Sequence, residues 1–328
     1  MKIDIHSHFM PREGFNTDGK NEKKFRPSIV KDSFGKEYMH LDGIQLNPDA
    51  EQLYDPQKRL ADMNKARVDM QALSPLPVFY YSADADTAMA LCREENDGIS
   101  AVVKAYPRNF IGLATVPMQD MKKCVAELDR AVCSLGLKGV QINTNIDGKN
   151  LDEPEFLPFY EAAESLSVPV FVHPHFIAGA DRMKKYYLTN LVGNPMDSSI
   201  AVSSIIYGGI LEKYPKLKFI FAHGGGAIPY IRGRIDHGYK VIPACGKAIP
   251  RPPSEYFNNI YFDSITHYEP ALAYMISTQG IEHVVMGTDY PFSMGDLDPV
   301  NSIQNINLSK EDSEKIMWDN AAELFNLT

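Results

Sequence analysis

Met1-Lys2-Ile3-Asp4-Ile5-His6-Ser7-His8 opens the chain, and this run reads as one strand that ends in two histidines. Residues i and i+2 of a strand share a face, so His6 and His8 point the same way and can converge on one cation. Imidazole pairs at that spacing are good zinc ligands. Alone, the pair reads equally well as two surface histidines near a loose terminus. The rest of the chain decides between the two.

Outward from this strand the pattern alternates. A polar stretch from Pro11 to Pro56, with Gly14, Gly19, Gly35 and Gly43 and little sustained periodicity, is too long for an ordinary connection. It reads as an insertion, about residues 11–54, over the mouth of a site. Asp55 then caps a helix whose first residue is Pro56 and whose apolar positions are Leu60, Met63 and Ala66. Further strands are expected at Val68–Leu73, Phe110–Val116, Gly139–Ile142, Val168–His173, Leu217–His223, Ile260–Asp263 and Val284–Asp289. Helices are expected at Ala85–Ala105, Lys122–Leu135, Pro154–Ser165, Ile200–Tyr214 and Lys310–Leu327. Eight strands, each followed by a helical segment, carry β-branched runs rather than polar alternation. Strands of that kind are buried on both faces, the pattern of an α/β fold with a closed parallel (β/α)8 TIM barrel. A doubly wound open sheet is the alternative, but no GxGxxG follows the first strand. At 328 residues the chain fits one barrel with an insertion, so a single domain over 1–328 is expected.

Composition narrows the partners. A net charge of -9 and a pI near 5.5 leave no basic footprint for nucleic acid and point to a small-molecule substrate. With 44% hydrophobic and 23% charged residues, the chain has the means to bury a core. Cys92, Cys124, Cys133 and Cys245 show no CxxC spacing, so they read as buried free thiols of a reducing cytoplasm rather than a disulfide framework or thiolate zinc site. No apolar run reaches the ~18 residues of a spanning helix, and Lys2-Ile3-Asp4 does not begin a signal peptide. The expected location is the cytoplasm, with no membrane partner.

In a parallel barrel the active site collects at the carboxyl ends of the strands. The first strand ends in His6 and His8, the fifth in His173, the sixth in His223 and the eighth in Asp289. Four of the nine histidines therefore fall at such ends. Barrel closure would bring the eighth strand, and Asp289, beside the His6/His8 pair.

These residues resemble the amidohydrolase superfamily, which carries HxH after strand one, His after strands five and six, and Asp after strand eight. The stretches YYLTNLVG (Tyr186 to Gly193), LEKYPKLK (Leu211 to Lys218), FAHGGGAIP (Phe221 to Pro229), Gly233-Arg234-Ile235 and GTDYPF (Gly287 to Phe292) resemble its aminocarboxymuconate-semialdehyde decarboxylase branch. So do Gln71-Ala72-Leu73-Ser74 and Phe110-Ile111-Gly112-Leu113. The resemblance implies a zinc-dependent, non-oxidative decarboxylase of an unsaturated or aromatic carboxylic acid. It assigns one zinc per chain, or another divalent metal, to His6, His8, His173 and Asp289. It makes His223 the acid/base that works on metal-bound water, beside Asp289. Three imidazoles and a carboxylate suit such an ion and leave a position open. Arg234 matches a family arginine that reaches across a dimer interface to the neighbour's substrate carboxylate, so a homodimer or larger assembly is implied. Binuclear members carry a carboxylated lysine at the end of strand four, where this chain has Gln141-Ile142-Asn143-Thr144, with Lys138 at the opposite end.

The chain also departs from the branch. Where a loop arginine follows a Gly-Lys-x-aromatic run, this chain has Gly35-Lys36-Glu37-Tyr38 and then Met39. Arg26 and Arg59, the nearest arginines, are out of register, and Asn190 stands where a tryptophan is common. A related but different acid is therefore expected as substrate. A hydrolase or hydratase working on a small carboxylated substrate is the second enzymatic reading, and a non-enzymatic binding protein is the third. Of the other histidines, His175 is a candidate substrate contact, and His267 and Asp263 are candidates to support the site from behind. His40, His237 and His283 carry no expected role. Gly224-Gly225-Gly226 reads as close backbone approach rather than a phosphate cradle.

Overall fold

A computed structural model of the protein describes residues 1–15, 25–41 and 44–327, without the side chains of 41 and 44–48. Eight parallel strands run in chain order: β1 (Ile3–Phe9), β2 (Met70–Pro75), β3 (Phe110–Ala114), β4 (Gly139–Asn143), β5 (Val170–His173), β6 (Phe219–Phe221), β7 (Ile260–Asp263) and β8 (Val284–Val285). Bonds between β8 and β1 close the ring: Ile5 N–H donates to Met286 O at 3.0 Å and His8 N–H to Tyr290 O at 2.7 Å. The TIM barrel expected from the sequence is therefore present.

One set of apolar side chains fills it and a second packs between its strands and the helices outside. Ile3, Ile5, Leu113, Phe171, Ile220 and Val285 belong to one buried cluster. Residues of opposite parity, such as Val170, Val172, Phe219 and Phe221, belong to a second cluster with the covering helices. Burial contributes about 1.5–3 kcal/mol for each large side chain of this kind. The helices start where local chemistry dictates. Asp55 accepts from Gln57 N–H ahead of the helix Pro56–Ala66, and Asp84 accepts from Thr87 N–H ahead of Ala85–Ala105.

Two expectations need correction, and the insertion gains detail. The expected helix Ile200–Tyr214 is two helices, Asn194–Tyr207 and Ile210–Lys213, parted at Gly208-Gly209. Gly209 has φ 74°, and a Cβ there would stand 2.7 Å from Ala248 O. The sixth and eighth strands are shorter than expected, because the chain leaves the ladder before His223 and before Asp289. The insertion, whose sequence shows little sustained periodicity, contains an antiparallel sheet of Ser28–Lys31, Glu37–Leu41 and Ile44–Asp49. The sequence pattern is weak there because the strands are short and charged residues such as Lys31 and Glu37 interrupt them. Residues 16–24 and 42–43 of the insertion lie outside the described residues.

The four cysteines are free as expected, but Cys133 is exposed and Cys245 half-buried, so only Cys92 and Cys124 are the buried thiols anticipated. Among the described residues no helix is long and apolar enough to cross a membrane.

Candidate active site

The site begins with an irregularity in β1. Ile3 and Asp4 pair with Met70 and Gln71, but Ser7 pairs with Leu73, so three steps along β1 match two along β2. This bulge reverses the parity of the strand. Ile3 and Ile5 face the barrel interior before it, and His6 and His8 face inward after it, the His6 ring 5.0 Å from that of Phe171. Asp4, on the outer side, holds the bulge. Its carboxylate accepts from His6 N–H at 3.0 Å, Thr288 N–H at 3.0 Å, the Thr288 hydroxyl at 2.6 Å and Gln71 Nε2 at 2.8 Å. Burial raises the Asp4 pKa to about 6 even against those donors.

Arg59 completes this brace. Fully buried, it donates to His8 O, to Gln71 Oε1 at 2.9 Å and to Ser7 Oγ at 3.2 Å, with its guanidinium over the Tyr290 ring at 4.7 Å. In the sequence Arg59 reads only as an arginine out of register. The signal available was a single charged residue on the buried face of the helix Pro56–Ala66.

Around the barrel mouth, His6, His8, His173 and Asp289 are all buried, and their nearest ligating atoms lie within 4.8 Å of one another. His6 Nε2 is 3.1 Å from His8 Nε2. Asp289 Oδ1 is 3.3 Å from the first and 3.2 Å from the second, without hydrogen-bond geometry to either. Nitrogens that close need a proton or a common cation between their lone pairs. The far sides of the rings are already engaged: His6 Nδ1 donates to Asp263 Oδ2 at 2.6 Å and His8 Nδ1 to Pro75 O at 3.1 Å. Metal-ligating histidines are oriented in this way, with the second nitrogen tied to a carboxylate or carbonyl. His173 has both ring nitrogens buried and unpartnered. These four residues fit a divalent cation.

Electrostatics point the same way. Burial holds the His8 pKa down and the His173 pKa well below the ordinary histidine value, which favours the neutral rings that can ligate. Burial opposes charge on His6 too, yet the Asp263 and Asp289 carboxylates raise its pKa to about 10. Binding of a cation at its Nε2 would therefore release a proton. Burial alone would raise the Asp289 pKa, but the neighbouring imidazoles of His223 and His6 hold it well below the usual carboxylate range.

A cavity of about 440 Å³ opens beside this nest and is lined by His223, Asp289, His267, Asn190, Tyr230 and Tyr274, among others. His223 Nε2 is 3.7 Å from Asp289 Oδ2. His223, His267 and Asp289 follow three successive strands, and all three have left-handed backbone, φ 55°, 53° and 58°. Such conformations are uncommon outside glycine, and they aim strand-end side chains into the cavity. His267 thus contributes to the cavity wall, rather than only supporting the site from behind.

Other expected residues lie elsewhere. His175 is half-buried beside Phe176, its backbone pinned by Asn143, and Arg234 is exposed on the helix Ile228–Val241; neither lines the cavity. Met39 is fully buried in an apolar cluster with Met10, Phe15 and Leu53, and Arg26 pairs with Glu94 at 2.5 and 2.9 Å. Gln141 donates to Pro75 O at 3.0 Å, and Lys138 is exposed at the far end of β4. Gly226 approaches Pro195 O so closely that a Cβ would stand 1.8 Å away, and the amides of His223 and Gly224 donate to Asp263. The triple glycine is thus a close approach, as expected, with two of its turn's amides engaged by a carboxylate of the chain itself.

This barrel and nest define the class. The match to the amidohydrolase family spans residues 3–327, and the chain belongs to that family. Within it, the 2-amino-3-carboxymuconate-6-semialdehyde decarboxylase of Dictyostelium discoideum is 38% identical over 330 residues, covering 100% of this chain and 92% of the relative. The protein of the same name from Caenorhabditis elegans is 33% identical over 385 residues, covering 99% and 94%. A crystal structure of dihydroxybenzoic acid decarboxylase from Polaromonas sp. JS666, with bound manganese and the inhibitor 2-nitroresorcinol, is similar with a TM-score of 0.80 at 26% identity, covering 99% of this chain and 97% of that one.

Proposed function

We propose that the protein is a zinc-dependent, non-oxidative decarboxylase of an unsaturated or aromatic carboxylic acid, with one metal ion per chain on His6, His8, His173 and Asp289. The observation that carries this reading is the convergence of those four buried residues at the mouth of a barrel whose more similar relatives, at 38% and 33% identity, are decarboxylases. When bound, the metal supplies positive charge that polarises substrate oxygen or activates water.

The remaining chemistry belongs to the chain. His223, on the cavity wall beside Asp289, is the acid/base: it gives a proton to the substrate carbon that bears the carboxylate. The bond to the carboxylate carbon then breaks, carbon dioxide leaves, and the net result replaces the carboxylate by hydrogen. Asp289 keeps the imidazole of His223 oriented toward the cavity. Tyr230, Tyr274 and Met275 form an apolar wall that suits a planar conjugated acid, with Asn190 and His267 as polar contacts.

Arg234 supports a dimer. Exposed and one turn beyond Tyr230 on the same helix, it reaches a second copy's substrate carboxylate, which a guanidinium binds bidentately. Exposed Tyr186, Leu191, Met196, Ile200 and Tyr230 provide an apolar surface for that contact.

The test is carbon dioxide release by the zinc-loaded protein across a panel of unsaturated and aromatic acids, with metal content measured on the same sample. Release with about one zinc per chain is expected. A fully loaded protein that releases none, but hydrates a double bond or cleaves an amide or lactone, belongs with the hydratases or hydrolases. Two metals per chain would indicate a binuclear hydrolase instead.

A further inference from the structure

Asp263 ends β7 and is fully buried. Its carboxylate accepts four hydrogen bonds from two sides of the site. Oδ2 takes His6 Nδ1–H at 2.6 Å and the His223 backbone N–H at 2.9 Å. Oδ1 takes Gly224 N–H at 2.8 Å and Ile265 N–H at 3.1 Å. One oxygen is thus shared between the ring of a metal ligand and the amide of the acid/base residue. The turn it holds needs holding: His223 has φ 55° and Gly224 φ 62°, and a left-handed non-glycine residue persists only where its surroundings fix it.

We propose that Asp263 is a positioning residue that couples metal occupancy to the placement of His223. The inference rests on the metal and acid/base reading above. A cation on His6 Nε2 makes the opposite N–H a stronger donor and fixes the ring, which fixes Oδ2. The His223 and Gly224 amides, bonded to the same carboxylate, are then held in the turn that points the His223 side chain into the cavity. With the cation withdrawn, the His6 ring is anchored from the Asp263 side alone, and the turn that shares this carboxylate opens more often. No other described residue bonds both a nest histidine ring and the His223 backbone.

The substitution that breaks this link is Asp263→Asn. An amide has one acceptor oxygen and one NH2 group, so whichever way it turns, the NH2 faces two donors. Hydrogen–deuterium exchange of peptides spanning residues 222–226 reads the turn, and zinc competition with a chromophoric chelator reads the affinity. In the wild type, zinc loading of the metal-depleted protein is expected to slow exchange of 222–226 by roughly tenfold or more, because a local opening is closed. In Asp263→Asn, zinc affinity is expected to fall about 10–100-fold, and exchange of 222–226 at saturating zinc no longer slows. A merely structural aspartate would lower Tm and leave the zinc response of the turn intact, which overturns the proposal. Where the variant fails to fold, the wild-type exchange decides: identical exchange with zinc bound and withdrawn overturns the coupling while leaving the metal reading standing. A wild type that binds no zinc overturns both.

Discussion

Around His6 and His8 the side chains are fixed by directed bonds to Asp263 and to Pro75 O, whereas Met39 in the inserted sheet is fixed by apolar packing against Met10, Phe15 and Leu53. Both regions border the same end of the barrel, and Phe292 touches both, its ring 5.2 Å from that of His8 and its side chain packed on the Met39 cluster. Directed bonds set where an atom sits to within tenths of an ångström. Packing sets only volume and dryness. The nest therefore has the character of chemical machinery, and the cluster under the inserted sheet that of a support.

That contrast can be broken most severely at His223. His223→Ala is expected to lower turnover about 10²–10⁴-fold, as loss of a general acid/base does, while zinc content by elemental analysis stays near one per chain. Loss of zinc together with activity would make His223 a ligand and redraw the nest. Arg59→Met comes next. It strips donors from His8 O and Gln71 Oε1 in a buried site, so thermal melts should show a loss of about 2–4 kcal/mol together with weaker zinc binding. A stability equal to the wild type would remove Arg59 from the brace of β1.

On the packed side, Met39→Ala is expected to cost about 2–5 kcal/mol in denaturant unfolding through the cavity it leaves, with turnover of the remaining folded protein within about twofold. A large fall in turnover without a fall in stability would instead place Met39 in substrate contact. A pH-dependent effect concerns Glu95, a carboxyl buried beside the same cluster. Burial raises its pKa to about 8, and the Tyr80 hydroxyl at 3.1 Å and Leu76 N–H at 3.3 Å offset this only in part. Between an unfolded value near 4.5 and the folded value near 8, the folded chain keeps a proton that the unfolded chain has lost. Stability from this group therefore falls as pH rises through that window, the reverse of an ion-paired carboxylate. Glu95→Gln should flatten the Tm profile between pH 5 and 8; an unchanged slope would assign it to other groups.

The reading from sequence succeeded where local pattern and chemistry coincide. The convergence of His6, His8, His173 and Asp289 was legible because barrel strands all end at one mouth, and the ends of hydrophobic runs can be seen in the sequence. Asp55 and Pro56 likewise announce their helix. Arg59, Asp263 and the sheet at 28–49 were not legible to the same degree. Arg59 and Asp263 act through partners dozens to hundreds of positions away, and the sheet's strands carry too little apolar alternation.

The opening strand shows where the division falls. By itself the sequence determined that two imidazoles sit two residues apart at the end of a strand, since the side-chain period is a property of the backbone. Only the tertiary structure decided that they face the barrel interior. Unbroken alternation would send His6 to the face opposite Ile5. The bulge between Asp4 and Ser7, held by Thr288 and Gln71 through Asp4 and braced by Arg59 at His8 O, turns both inward. Register is a relation between strands, set by contacts that exist only once the barrel has closed.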